Sequence, residues 1–207
     1  MKKTYSRNHT LYDLAIVFFI LSLLGWCAET LYFLLRWHCL EDRGFLTLPF
    51  CTIYGSAVLL VYGLLGTPRG GRLSALFSRA AQLNAFSKIP ATLALFGLYF
   101  LLASIPPALV ELVVGIAFSD GLGLTLWDYG YHSFQLFGSI CLSQTLLWGA
   151  LLTLGMSTVW DPLLALVQAI PLSAKKTAAI ALSLGLAIDF CINLLCLLSY
   201  GHTVALF

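Results

Sequence analysis

Residues 11–37 read LYDLAIVFFILSLLGWCAETLYFLLRW, and this stretch decides the fold. It is predominantly apolar and longer than the ~17–20 residues a helix needs to cross a hydrocarbon core about 30 Å thick. Between Ala15 and Leu35 it carries one ionised side chain, Glu29. A carboxylate at membrane depth costs about 2.5–3.5 kcal/mol on insertion scales, so a chain keeps one where it has a partner or a task. The pattern recurs at Glu111 and Asp189, each inside another long apolar run.

The whole chain agrees with its first helix. It has 207 residues, 60% hydrophobic and 10% charged, with a mean hydropathy of +0.92. Soluble domains average about 25% charged residues, so the deficit and the repeated apolar runs predict an all-α polytopic membrane bundle. At this length it is expected to be a single integral membrane domain over residues 1–207. The six cysteines form no CxxC pair and fall mostly in apolar segments, where they read as small hydrophobes; Cys39 alone falls in a polar loop. The start, MKKTYSR before an apolar run, has the outline of a signal peptide. The run is too long and lacks a small-x-small cleavage site, so an uncleaved first helix is expected.

Five spans are predicted, approximately 11–35, 46–66, 90–118, 133–157 and 178–200, with Pro106-Pro107 kinking the third. Loop charge then sets the orientation. Lys2, Lys3 and Arg7 precede the first span, Arg69, Arg72, Arg79 and Lys88 follow the second, and Lys175 and Lys176 precede the fifth. Nine of the eleven basic residues thus fall on one side, and only Arg36 and Arg43 on the other. The positive-inside rule places the N-terminus in the cytoplasm and the C-terminus outside. Within the basic loops, residues 73–86 (LSALFSRAAQLNAF) space Leu73, Leu76, Phe77, Ala80 and Leu83 as one helical face, which predicts an interfacial amphipathic helix. Asp161-Pro162 before LLALVQAI predicts an N-cap and first turn of a second short interfacial helix, ending near Pro171.

This topology gathers the acids. Glu29 lies about seven residues below Arg36, or ~10 Å inside the outer boundary, and Glu111 lies similarly deep. The loops holding Arg43 and Trp127-Asp128-Tyr129 face the same side. Glu29, Arg43, Glu111 and Asp128 are therefore expected in one outer-half cluster, with Tyr54, Trp127 and Tyr129 nearby as candidate substrate or ion contacts. Arg43 could bridge two carboxylates through its planar fork. One reading is an acidic cavity open to the outside; the other is a structural ion-pair network tying a loop to helices. Tyr54 and Trp127 also fit aromatic-belt anchors. Pro49 before Ile53-Tyr54-Gly55 allows either a first-turn proline or an unwound, re-entrant helix start. Asp189, a secondary candidate with Asn193 one turn on, fits packing within the bundle.

Several classes are disfavoured. The four histidines have no metal-ligand spacing, and no GxSxG, HExxH or GxxxxGK[ST] occurs. No metal, no cofactor and no nucleic-acid partner is expected, and the chain has no P-loop of its own.

An ordered series of short motifs then suggests a family. Gly25-Trp26-x-x-Glu29-Thr30 comes first, followed by Asp42-Arg43-Gly44-Phe45-Leu46 and Pro49-x-x-x-Ile53-Tyr54-Gly55. Leu109-x-Glu111 with Gly115, Trp127-Asp128-Tyr129, Gly138-x-Ile140-Cys141-Leu142 and Trp148-Gly149 complete it. Over roughly residues 15–155 the chain resembles the bacterial ABC-transporter type IV permeases. It departs from their pattern at Asp42, Leu48, Thr52, Gly130 and Gln135. The resemblance implies a multi-pass membrane permease or transport component without a defined substrate. An ABC permease would need a separate ATPase, for which Leu73–Phe86 is the candidate contact, and a small subunit would be expected to form a homodimer. Two other classes stay open. An intramembrane lipid-handling enzyme would use Glu29, Glu111 and Asp128 as acid and base with Arg43 gripping a headgroup. A structural or regulatory membrane subunit would use the same residues only for packing.

Overall fold

The computed structural model describes residues 10–40 and 44–204. The chain is an all-α bundle: α1 (Leu11–Trp37), α2 (Thr52–Leu65), α3 (Ser74–Ala81), α4 (Ala85–Leu122), α5 (Leu142–Thr158), α6 (Trp160–Ala169) and α7 (Leu172–Tyr200). A two-residue antiparallel ladder, β1 (Gln135–Leu136) with β2 (Ile140–Cys141), precedes α5. Thr10 and Asp13 start α1 with a reciprocal capping box, satisfying two backbone donors that a helix end leaves open.

Three helices, α1, α4 and α7, are long and apolar enough to cross a membrane. The other two expected spans differ from their predicted form. The 46–66 segment is helical only over the 14 residues of α2, about 21 Å at ~1.5 Å per residue, which falls short of the hydrocarbon thickness. The 133–157 segment becomes helical only at Leu142; α5 and α6 are long and apolar enough for a fourth span only when taken together, across a bend of 55° at their junction. The third span is longer than predicted. Helix α4 runs 38 residues through Pro90, Pro106 and Pro107 without ending. Pro106 and Pro107 are buried among its neighbours, the setting in which a membrane helix tolerates lost donors.

The short helices start inside the bundle. The Cys51 N–H donates to the Ser22 carbonyl of α1, which puts the start of α2 beside the middle of that helix, ~16 Å from its first residue. Pro49 lies outside α2, so the start is unwound rather than a first-turn proline. Segment 44–51 reaches this depth by pairing with α7: the Leu48 N–H donates to Asp189 Oδ2 (3.0 Å), and Asn193 Nδ2 donates to Thr47 Oγ1 (2.9 Å). Phe45 and Leu46 bury against Leu197 and Phe118. Asp189 is therefore a clasp for irregular backbone, and Asn193 extends the clasp to the Val204 N–H. The start of α5 is sunk too. Ser139 packs where a side chain on Gly115 would stand, ~10 Å below the end of α4.

Close helix approach fixes the core. A Cβ on Gly55 would fall 2.5 Å from Ser22 Oγ and 2.6 Å from the Phe18 carbonyl, and one on Gly25 would fall 2.4 Å from the Tyr54 ring. Helices α1 and α2 thus cross nearly backbone to backbone, as small residues permit in membrane packing. Val17, Val61, Tyr99, Ala103 and Leu152 fill the centre. The Tyr99 hydroxyl donates to the Gly66 carbonyl at the end of α2 (2.6 Å).

At the opposite end from the sunken starts, Lys175 in the first turn of α7 pairs with Asp13 in the first turn of α1. Both side chains are buried, so α1 and α7 begin at the same end. Lys175, counted by sequence among the loop cations, is an interior one. Helix α3 falls within predicted segment 73–86 and packs Phe77 on Phe96 of α4, edge to face at 5.0 Å. Asp161 is not the N-cap of α6; that position is Val159, and Asp161 sits inside the first turn. The helix ends at Ala169, as the proline at 171 requires.

Candidate functional site

Glu111 is the centre of the polar interior. It sits on α4 at 5% exposure. Its Oε1 accepts a hydrogen bond from the indole nitrogen of Trp148 on α5, at 2.8 Å. Its Oε2 is buried with no partner. Three other buried side-chain atoms among the described residues lack partners, and all are hydroxyls, on Ser22, Thr30 and Thr153. An unpaired buried carboxylate oxygen is far more expensive, because a charged group loses more on leaving water than a neutral one.

Around it the folded chain places residues from four other segments. Trp148 packs against Tyr54 of α2 with ring centroids 5.0 Å apart. The Tyr54 hydroxyl is hydrogen-bonded to the Glu29 carboxylate of α1, and Glu29 lies within electrostatic reach of Glu111. Tyr129 comes in from the α4–α5 loop, close enough to feel both glutamates. Burial and those two carboxylates, with Cys141 and Tyr131, push its phenol above the ordinary tyrosine range, burial being the largest cause. Glu29 and Tyr129 are half-buried, so the cluster reaches the surface through them.

The remaining sequence candidates lie elsewhere or play a supporting part. Asp128 is exposed, and its Oδ1 accepts from the Gly130 N–H at 2.7 Å, a side-chain turn within the loop. Trp127 donates from Nε1 to the Ser139 carbonyl at 2.8 Å and ties the loop to the β ladder. Together they hold the loop that carries Tyr129. Asp189 belongs to the clasp on segment 44–51, away from this cluster. Arg43 lies outside the described residues, as do Glu41 and Asp42. Trp148 was not singled out by sequence as a contact. Its only signal was its place in the Trp148-Gly149 motif, since an indole partner across two helices leaves no local spacing to read.

The arrangement offers two carboxylates, three aromatic rings and one oxygen seeking a donor. Among the described residues no group of three or more histidine, cysteine, aspartate or glutamate side chains could hold a metal ion. A shallow cleft of about 360 Å³ beside the loop is lined by His132, Ser133, Phe134, Leu142, Ser143 and Leu146, and contains no carboxylate.

The family described as Putative ABC-transporter type IV matches residues 16–194, nearly the whole bundle and every member of the cluster. The chain belongs to this family. It is a membrane protein of ABC-transporter type, with helices apolar enough to span a bilayer. No curated protein and no solved structure matches the chain. The family match runs from the second turn of α1 into α7, so it takes in Glu29, Tyr54, Glu111, Tyr129 and Trp148 alike.

Proposed function

We propose that the protein is the membrane-spanning permease subunit of an ABC-type transporter, multi-pass in a bacterial inner membrane, with its ligand contact at the Glu111 cluster. The N-terminus is taken as cytoplasmic and the C-terminus as extracytoplasmic, from the bias of loop charge. The observation that carries the reading is the buried Glu111 carboxyl with one oxygen held by Trp148 and the other without a partner. An intramembrane ionisable group is a functional-site hypothesis by default. Its neighbours here, Glu29, Tyr54 and Tyr129, lead outward between two helices whose starts are recessed. Such broken or short helices beside polar groups are the usual way a transporter builds a midplane site.

Energy would come from a separate ATPase, because the chain has no P-loop. Helix α3 and the start of α4 are the proposed contact. Phe77 and Ala80 bury inward, while Arg72, Leu76 and Arg79 stay exposed beside Phe86 and Lys88. A small bundle of this kind is proposed to work as a homodimer.

Purification of the tagged chain from its own membranes in mild detergent tests the reading. A nucleotide-binding subunit should co-purify in fixed ratio, the complex should hydrolyse ATP, and Arg72→Glu with Arg79→Glu should release that subunit. The reading is lost if the intact chain purifies with no ATP-binding partner and no ATP hydrolysis.

A further inference from the structure

We propose that the cleft between the α4–α5 loop and the first turns of α5 holds a membrane phospholipid, its phosphodiester against the loop and one acyl chain along α5. The cleft has a volume of about 360 Å³ and is lined by His132, Ser133, Phe134, Leu142, Ser143 and Leu146. Two contacts set its depth. Ser139 packs where a side chain on Gly115 would stand, ~10 Å inside the C-terminal end of α4. The Leu142 N–H donates to the Phe134 carbonyl at 3.2 Å, which holds the loop beside the start of α5 at this level. Helix α5 then runs back along α4, with Gly149 against Ser104, so Leu146 lies deeper than Ser143.

The lining divides by chemistry along the same direction. His132, Ser133 and Ser143 supply hydrogen-bond donors near the loop, and no lining residue carries a carboxylate to repel a phosphate. The His132 ring is held between Tyr131 and Tyr129, with centroids 4.5 and 5.8 Å away. The Ser143 hydroxyl meets the Cys141 sulfur at 3.2 Å, a weak partner. Leu142 and Leu146 are exposed, and the exposed apolar face continues along α5 through Leu147, Leu151 and Leu154, a track for an acyl chain. Two observations favour a lipid over a soluble ligand. Phe134 and Phe137 take left-handed φ of 56° and 54°, costly for bulky side chains, and their rings stand outward at 81% and 74% exposure. Rings set outward at membrane depth meet acyl chains. Irregular backbone and exposed hydroxyls at that depth also need polar partners, which acyl chains do not supply. A phospholipid drawn into the cleft meets both requirements: its phosphodiester oxygens accept from the donors while its chain covers the apolar surface.

Photolabelling tests this. The full chain, purified in dodecyl maltoside micelles, is irradiated with phosphatidylethanolamine bearing a diazirine in one acyl chain, and the labelled residues are located by mass spectrometry. Label should concentrate on residues 142–147, saturate with probe concentration and be displaced by unlabelled phosphatidylethanolamine. Diacylglycerol has the chains without the phosphate and should compete about fivefold less well, since it cannot accept charge-assisted hydrogen bonds. Leu146→Trp fills the apolar part of the cleft and should lower labelling about fivefold or more. Leu154→Trp, about two turns further along the exposed face, should leave it unchanged. Ser133→Ala with Ser143→Ala should raise the probe concentration for half-saturation about fivefold. The proposal is overturned if label spreads evenly over the exposed faces of α4, α5 and α7, which is annular contact only. It is equally overturned if diacylglycerol competes as well as the phospholipid, or if folded Leu146→Trp labels like wild type. A cleft covered by a second copy of the chain or by a soluble partner would stay unlabelled at every probe concentration, and that result also overturns it. The wild-type arms need no variant to fold, and none of these outcomes bears on the ATPase test of the transport reading.

Discussion

Replacing Lys175 with methionine should destabilise the protein more than any conservative change on its surface. The Lys175 ammonium and the Asp13 carboxylate are 6% and 3% exposed and face each other across the first turns of α7 and α1. Removing one partner of a buried pair costs about 3–5 kcal/mol, because the other charge stays buried without compensation. Asp13 has partial insurance, since its Oδ2 also accepts the Thr10 N–H at 2.9 Å. The loss for Lys175→Met is therefore expected at the lower end, about 3 kcal/mol. Asp13→Asn keeps an acceptor for Thr10 but leaves the lysine charge buried, and should cost a similar amount. The double variant Asp13→Asn with Lys175→Met removes both charges and should recover most of the loss, because the desolvation penalty goes with the pair. Equilibrium unfolding in mixed micelles, followed by tryptophan fluorescence, gives all four stabilities. The reasoning is refuted if Lys175→Met costs less than about 1 kcal/mol, or if the double variant loses the sum of the singles, which is the signature of independent sites.

Trp148→Phe keeps the ring against Tyr54 but leaves Glu111 with no donor at either oxygen; a loss of about 1.5–3 kcal/mol is expected in the same unfolding assay, and a neutral result would mean that the bond contributes nothing. Gly55→Ala should cost about 1–3 kcal/mol, since the new methyl meets the Phe18 backbone and must part α1 from α2; wild-type stability for this variant would contradict the close crossing. Tyr129 should remain a phenol at the pH, about 10, at which ordinary tyrosines ionise. Its raised folded value means that the associated stability is intact below about pH 10, the unfolded value, and declines as pH rises beyond it. Tyr129→Phe should flatten that alkaline decline, and an unchanged pH profile would remove Tyr129 as its source. Cys39, exposed beyond the end of α1, should react with a membrane-impermeant maleimide added outside intact spheroplasts in a chain with the other five cysteines replaced; labelling only after permeabilisation would invert the proposed orientation.

Bundle class was legible because it depends on composition over long windows. Residues 11–37 cannot be anything but a membrane helix, and α1 runs from Leu11 to Trp37. Helix length within the bundle was less legible. Pro49 signals a helix start or a break, but Thr47 and Leu48 are as apolar or small as many helical residues, and nothing local says which path they take. What fixes them in an extended path is a carboxylate and an amide far along the chain, Asp189 and Asn193. The same holds for residues 133–141, where hydropathy extends a span but the backbone turns. Phe134 and Phe137 adopt positive φ of 56° and 54°, conformations no apolar pattern foretells. Asp13 carried a local signal, the Thr-x-x-Asp capping box, but its second partner is 162 positions away.

The two kinds of acid in this chain separate on one physical criterion. Asp13 and Asp189 are buried with their oxygens engaged: Asp13 by Lys175 and Thr10, Asp189 by Leu48 and Asn193. Each ties a helix to a distant segment, and its cost is offset by the geometry it holds. Glu111 differs. It spends one oxygen on an indole and leaves the other buried without a partner, so its cost is not offset by a second hydrogen bond. Hydropathy alone treats these acids as equivalent, since each interrupts an apolar run. Partner accounting distinguishes them: among these three acids, Glu111 alone keeps a buried oxygen with no hydrogen-bond partner.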